Sequence, residues 1–260
     1  MPDTTFTVEP YAALSSVYQA GGFAEYSLQI APKLIDLAFD LEWTGKTLLD
    51  IACGTGDLAC WFAGRGLRVR GIDLSAPMVR RAQAGAETGG YSADFDQGDM
   101  RTFTTTTPYE MVTCIGSSLN YAPSLKELER IFRAAHAALM PGKLFLFDLR
   151  TILGLVRAGE GDRIVSDDPA RHLILSRNGF NHETLTLTTR YTIFTMGGSG
   201  WVRAEETHTL RGYPVQGVIR LAESCGFKTV RIVTPEYERL EAYDAHPDAE
   251  QVIVVAVRGE

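Results

Sequence analysis

An α/β chain built on a doubly wound, mostly parallel sheet is predicted by three observations. Helical and strand-like hydrophobic periods alternate from Thr47 to Arg150, the pattern of parallel strands joined by crossover helices. A β-forming run, Thr47 to Ala52, ends in the turn Cys53-Gly-Thr-Gly-Asp57, where Gly54 and Gly56 remove the Cβ atoms that would block a ligand, and a helix starts near Asp57. A second strand, Leu67 to Ile72, delivers Asp73 at its carboxyl end about 20 residues beyond the glycines, where a carboxylate can accept bonds from ribose hydroxyls.

Each element follows from local pattern. Val8 to Phe39 reads as two helices separated by Gly21-Gly22, with Tyr11, Leu14, Val17 and Tyr18 on or near one face of the first. Strands are predicted over Thr47–Ala52, Leu67–Asp73, Ala93–Gln97, Glu110–Ile115 and Lys143–Leu149, with helices near Asp57–Gly64, Ala76–Gly85 and Ser124–Leu139 between them. In the last helix Leu125, Leu128, Ile131, Phe132, Ala135 and Leu139 keep a 3.6-residue period behind a Ser124 cap, and Pro141-Gly142 stops it. From Arg150 to Gly212 the pattern changes to alternation. Leu185, Leu187, Thr189, Tyr191 and Ile193 share one face; after the turn Met196-Gly-Gly-Ser-Gly200, Val202, Ala204, Glu206, His208 and Leu210 share another. This predicts a long β-hairpin with one side buried, standing beside the cleft. Val215–Cys225 reads as a helix stopped by Gly226, and Thr229–Val233 and Val252–Val257 read as strands. The chain thus divides into 1–46, 47–150, 151–212 and 213–260: an N-terminal helical lid, an α/β core, a β-rich insertion and the rest of the core.

Composition narrows the function. The 260 residues are 45% hydrophobic, enough for a sizeable core, and the formal charge is −7. No block of Lys or Arg forms the basic stripe that a phosphate backbone requires, so nucleic acid is excluded as a partner. The start, Met1-Pro-Asp-Thr-Thr, lacks the features of a signal peptide, and the apolar runs are strand-sized, which predicts a soluble cytoplasmic protein away from the membrane, a monomer or homodimer. Cys53, Cys60, Cys114 and Cys225 form no C-x-x-C pair and have no His at ligand spacing, so no metal is predicted and the thiols read as small buried residues of a reducing compartment.

The glycine turn alone admits two cofactors, since Gly54 through Ala59 also fits the dinucleotide pattern G-x-G-x-x-A. Four further features favour S-adenosylmethionine over a nicotinamide: Asp50 ahead of the glycines, Leu74-Ser75-Ala-Pro-Met78 after the ribose acid, Gly98-Asp99-Met100, and Met140-Pro-Gly142 before an apolar strand. On these motifs the chain resembles the class I S-adenosylmethionine-dependent methyltransferases, small-molecule type, over a little over half its length. The resemblance implies a Rossmann-like seven-stranded sheet closed by an antiparallel hairpin. It also implies a cofactor set of Asp50, Ala52, Gly54, Gly56, Asp73, Leu74, Met78, Asp99, Met100 and Ile115. In that set Gly54 and Gly56 admit the methionine end, Asp73 holds the ribose, Leu74 and Met78 pack the adenine, and Asp99 with the Met100 amide meets its amino group. Asp50 is placed to orient the turn or the ammonium group.

In small-molecule members of the family a similar N-terminal segment, often with a Tyr near the place of Tyr18, folds over the cofactor; the family's common Tyr-Asp is Tyr18-Gln19 here. Glycine N-methyltransferase and the amino-sugar N-methyltransferases have turns similar to Ile115-Gly-Ser-Ser-Leu-Asn-Tyr121 after the fourth strand, which makes Ser117, Ser118, Asn120 and Tyr121 candidates for orienting a substrate. Arg150 could pair with a substrate carboxylate or phosphate, and strand parity points His208 inward as a candidate base. The candidate catalytic residues are therefore Tyr18, Tyr121 and His208. Methyl transfer needs alignment and exclusion of water more than a strong base, so no triad or metal constellation is required. The expected reaction is methylation of a nitrogen or oxygen of a small metabolite; an NAD-dependent oxidoreductase or a non-catalytic cofactor-binding subunit are the alternatives.

Overall fold

The computed structural model describes residues 5–198, 200–236 and 249–259; Met1 to Thr4 and Ser199 of the predicted turn lie outside them. The chain runs through β1 (Thr5–Thr7), a 3-10 turn (Leu14–Val17), α1 (Glu25–Phe39), β2 (Thr47–Ile51), α2 (Asp57–Ala63), β3 (Arg68–Asp73), α3 (Ala76–Gly89), β4 (Ala93–Gln97) and β5 (Tyr109–Cys114). It continues through a second 3-10 turn (Ser118–Tyr121), α4 (Leu125–Ala138), β6 (Leu139–Arg150), α5 (Ile152–Ala158), β7 (Asp162–Asp168), β8 (His172–Asn181), β9 (Thr186–Gly197), β10 (Gly200–Arg211), α6 (Val215–Ser224), β11 (Phe227–Val233) and β12 (Gln251–Arg258).

Seven strands form the main sheet in the order β11-β12-β6-β5-β2-β3-β4. β4, β3, β2, β5 and β6 run parallel, and β12 and β11 close the edge antiparallel, the predicted closing hairpin. The central strands are apolar runs because helices cover both faces. On one face α4 and α6 pack over Phe145 and Phe147; on the other α1, α2 and α3 pack over Leu48, Met111 and Leu146. The rings of Phe132, Phe145 and Phe147 stand 5.0–6.2 Å apart, and truncating any one would cost about 3–5 kcal/mol. The strand order reverses between β2 and β5, so their carboxyl ends open a crevice at the switch point.

Some boundaries differ from the sequence pattern. α4 starts with its Ser124 cap in place, the hydroxyl accepting from Glu127 N–H, but Leu125 is 55% exposed and the helix stops at Ala138. Leu139 and Met140 are already extended, as suits residues leading into Pro141. α3 runs on past Gly85 to Gly89 and ends where Gly90 takes φ 64°.

Two larger differences shape the site. The first of the two predicted N-terminal helices is a single 3-10 turn, Leu14–Val17, preceded by Tyr11 at φ 65°. Glu206 takes the backbone N–H groups of Tyr11, Ala13 and Leu14, and a carboxylate holding three amides in a concave turn competes with helix formation. The insertion supplies four strands of a five-stranded sheet, β1-β10-β9-β8-β7, whose edge strand β1 comes from the N-terminal segment and of which the predicted hairpin is only β9 and β10. Its parity is as read for Leu187, Thr189, Ile193, Glu206 and His208, which are buried, whereas Val202 at the tip is exposed. Leu14 and Val17 pack on Ile174 and Ile193, so the N-terminal segment and the second sheet form one cap beside the crevice.

Candidate active site

A cavity of about 630 Å³ opens at the carboxyl ends of β2, β3 and β5 and reaches under the cap. Its floor is the turn after β2, where Ala52 and Gly54 both take φ 57°. A Cβ added at Gly54 would meet no protein atom within 4 Å and would project into open space, so this glycine clears room for a ligand. Gly56 has a different task. A Cβ there would come within 2.7 Å of Phe95 and 2.8 Å of Ala82, so its absence lets α2 close onto the sheet; Gly56 does not line the cavity.

Asp73 stands where β3 ends, its two oxygens accepting from Gly54 N–H and Ser75 N–H at 2.8 Å each. Burial raises its carboxyl above the ordinary range against the pull of those two amides. It therefore pins the glycine turn as well as facing the cavity, and each oxygen keeps a lone pair for a further donor. Asp50 is fully buried beneath the turn and takes the Thr113 hydroxyl at 2.6 Å; burial pushes its carboxyl up to about 7. Asp99 is clamped by Arg101 through Nε at 2.8 Å and Nη2 at 2.5 Å, and that guanidinium holds its carboxyl below the ordinary range. Arg101 also reaches Glu127 at 3.1 Å.

Met78, Met100 and Ile115 supply apolar wall, and Leu74, 63% exposed, forms the outer lip. Burial holds the Cys53 thiol well above its ordinary range, which makes it a wall residue rather than a nucleophile. Five carboxylates, Glu9, Asp50, Asp57, Asp73 and Asp99, line this space against one guanidinium, Arg101, which is already paired. Among the described residues no group of three or more His, Cys, Asp or Glu is placed to hold a metal, and no helix is long and apolar enough to cross a membrane.

The family model that matches this chain is that of a methyltransferase domain, over residues 48–142, the segment that carries the glycine turn, Asp73 and Asp99. Residues 48–142 are a methyltransferase domain. The Bacillus subtilis (strain 168) protein named "Putative methyltransferase YqeM" is 28% identical over 71% of this chain and 74% of its own length. The dTDP-4-amino-2,3,4,6-tetradeoxy-D-glucose N,N-dimethyltransferase of Saccharopolyspora spinosa is 29% identical over 57% of this chain and 58% of its own. In fold the chain is similar to a crystal structure of an S-adenosylmethionine-dependent methyltransferase from Clostridium acetobutylicum ATCC 824, with a TM-score of 0.77 and 19% identity over 89% of this chain and 92% of that one.

At the far end of the cavity stand aromatic residues. Tyr18 and Tyr121 line it, and so do Tyr11, Phe23 and Tyr26, which the sequence reading did not select. Tyr18 stacks on Phe23 with centroids 5.4 Å apart. His208 does not reach the cavity: it lies buried behind Tyr121, with Nδ1 2.8 Å from the Tyr121 hydroxyl. Ser118 lines the wall, its hydroxyl donating to Ile115 C=O. Asn120 is spent on backbone, its amide donating to the carbonyls of Arg150 and Arg211 and accepting from Arg150 N–H, which ties β6 to the insertion. Arg150 lines a second hollow between α1 and the end of β6, which meets the first at Tyr26, and does not line the first.

Asp148, near the carboxyl end of β6, holds the turn before Tyr121 by accepting from Gly116 N–H at 3.1 Å and Ser117 N–H at 2.9 Å; burial pushes its carboxyl up to about 6. A carboxylate inside an apolar run was a visible signal. So was Glu206 on the inward face of its strand, two residues from His208.

Proposed function

We propose that the protein transfers the methyl group of S-adenosylmethionine to a nitrogen or oxygen of a small metabolite by in-line displacement. The observation that carries this reading is the charge of the cavity. With Asp99 paired to Arg101 and Asp50 raised to about 7, Glu9, Asp57 and Asp73 still leave the cavity negative, which attracts a cation and repels a pyrophosphate. Of these, Asp57 stands at the first turn of α2, the place where a dinucleotide would set its phosphates.

When bound, S-adenosylmethionine supplies a methyl group already activated by the sulfonium charge. The chain's own residues bind, orient and exclude water. The open space at Gly54 admits the methionine end, Asp73 accepts from the ribose hydroxyls with its free lone pairs, and Met78, Leu74 and Ile115 pack the adenine side. Asp99 reaches the adenine amino group beside the Met100 amide, and Asp50 faces the ammonium group from below. Tyr18 and Tyr121 face the acceptor. Closing the space under the cap favours a metabolite over a protein chain, and a relative that dimethylates an amino sugar supports nitrogen as the acceptor. Four free thiols suit a cytoplasmic compartment.

Calorimetry tests the reading: S-adenosylmethionine and S-adenosylhomocysteine should bind in the micromolar range, and NAD should not. Binding of NAD without either adenosyl compound would overturn it.

A further inference from the structure

The cap holds a chain of four polar side chains behind the cavity wall, and its direction can be deduced. Glu206 is wholly buried in β10. One oxygen accepts from Ala13 N–H at 2.5 Å and Leu14 N–H at 2.9 Å; the other accepts from Tyr11 N–H at 2.8 Å and meets His208 Nε2 at 3.0 Å. Three backbone amides, which can only donate, take three of its lone-pair sites; as a carboxylate Glu206 has a fourth, which faces His208 Nε2. Against that carboxylate His208 donates through Nε2. In a neutral imidazole Nδ1 is then the acceptor, and the Tyr121 hydroxyl donates to it at 2.8 Å. With that proton committed, the bond of 2.6 Å between Tyr121 and Tyr11 must be donated by Tyr11. The Tyr11 oxygen is left with lone pairs at the cavity wall.

Packing fixes the order. The His208 ring meets Tyr11 edge-on at 4.6 Å and Tyr191 at 5.1 Å, and His208 and Glu206 are both buried and do not line the cavity, whereas Tyr11 and Tyr121 do. Burial raises both phenols above their ordinary range, which keeps them protonated while they pass protons on.

We propose that Tyr11, Tyr121, His208 and Glu206 form a directional proton relay that removes the proton the acceptor loses on methylation, with Tyr11 touching the acceptor and His208 the terminal base. The proposal rests on the methyltransferase reading for its task, not for its direction. In the step, the acceptor's lone pair forms the bond to the methyl carbon as the carbon–sulfur bond breaks, and that electron pair stays on sulfur as a neutral thioether. The acceptor's surplus proton passes to Tyr11 Oη, the Tyr11 proton to Tyr121 Oη, and the Tyr121 proton to His208 Nδ1. Both phenols end as they began, and the positive charge ends as an imidazolium against Glu206. Tyr11 and Tyr121 are thus the catalytic residues, and Glu206 is a positioning residue that sets the tautomer.

The direction is read first, by nitrogen NMR of the full chain labelled in histidine, at about pH 8 and with S-adenosylhomocysteine present. His208 should carry its proton on Nε2 alone, and Tyr121→Phe should move the Nδ1 resonance. A proton on Nδ1, or no response to Tyr121→Phe, overturns the proposal. Turnover is read next, with the acceptor the parent methylates fastest among small amines and alcohols. Tyr11→Phe and Tyr121→Phe should each lower kcat by about 10²- to 10⁴-fold with little change in KM, and make a bowed proton inventory linear. Parent-like kcat in either variant overturns it as well. Each variant removes one oxygen, so neither depends on the tolerance of the core for losing His208. A parent that binds no S-adenosylhomocysteine would sink the methyltransferase reading instead, and the histidine spectrum would still decide the relay's direction.

Discussion

The two sheets solve the problem of burial in opposite ways. The main sheet is covered by helices on both faces and buries almost only hydrocarbon, with Asp50, Thr113 and Asp148 as its polar exceptions. The second sheet buries a small apolar cluster around Leu14, Val17, Ile174 and Ile193, and beside it a polar one, with Glu206, His208, Thr189 and Ser176 all inaccessible. The first sheet gains its stability from area; the second depends on every hydrogen bond being made. A cap held this way is specific in geometry and vulnerable to single-atom changes.

The largest effect should therefore come from the cap. Glu206→Ala leaves three amides and an imidazole without their acceptor, and should cost about 3–5 kcal/mol of cap stability. Hydrogen exchange should show residues 8–23 losing protection while β2 and β5 keep theirs; uniform loss would mean the two regions unfold as one unit.

Next come the two glycines of the core turn, which separate packing from ligand access. Gly56→Ala forces a Cβ against Phe95 and Ala82 and should cost about 1–3 kcal/mol, with a further ~1–2 kcal/mol for the left-handed backbone. Gly54→Ala should incur only the backbone cost of ~1–2 kcal/mol yet lose at least about tenfold in S-adenosylhomocysteine affinity. Equal affinity in Gly54→Ala and the parent, by calorimetry, would show that the open space at Gly54 is not the ligand's.

Asp73→Ala should weaken the same ligand about 10- to 150-fold, because a charge-assisted pair of bonds is worth about 1.5–3 kcal/mol. Sequence alone suggests that the apo protein would not notice this change. With Gly54 and Ser75 both bonded to the carboxylate, the thermal midpoint should fall as well.

The last signal is a slope. Asp50 and Asp148 have folded carboxyls raised by burial to about 7 and about 6, above the unfolded value of about 3.9. The folded state then binds more protons across that window, so their contribution falls as pH rises from about 4 to about 7 and is constant above. Asp50→Asn should flatten part of this slope in denaturant titrations run across that range, since the amide oxygen can still accept from Thr113. An unchanged slope would place the titration elsewhere.

The core was legible because its signals are local. Thr47 to Ile51, the glycine turn and Asp73 sit within one βαβ unit, and the period of α4 is visible in fourteen residues. The cap was not, because its structure is decided by partners far away in the chain. The pattern around Leu14 and Val17 is helical until Glu206 takes the amides, and the weak alternation of β7 and β8 gains meaning only once β9 pairs with β8. Leu74, Met78 and Asp99, which the family resemblance implies, line the cavity, whereas Tyr11 reads as one more apolar residue on a helix face. Its position at the cavity depends on a φ of 65°, which no pattern predicts for a tyrosine.

The bond from Tyr11 N–H to Glu206 spans 195 positions of sequence, and β1 pairs in parallel with β10 at the same edge. During synthesis the amides of Tyr11, Ala13 and Leu14 wait for a carboxylate 192–195 residues further along. The main sheet's first parallel strands can associate long before that, so closure of the enzyme over its own crevice is a late event, with a loop-closure cost that local contacts do not bear. A bulky fusion at the amino end would therefore trouble the last stage of maturation and leave the early ones alone: a protein with a native-like main sheet, slow to acquire its roof.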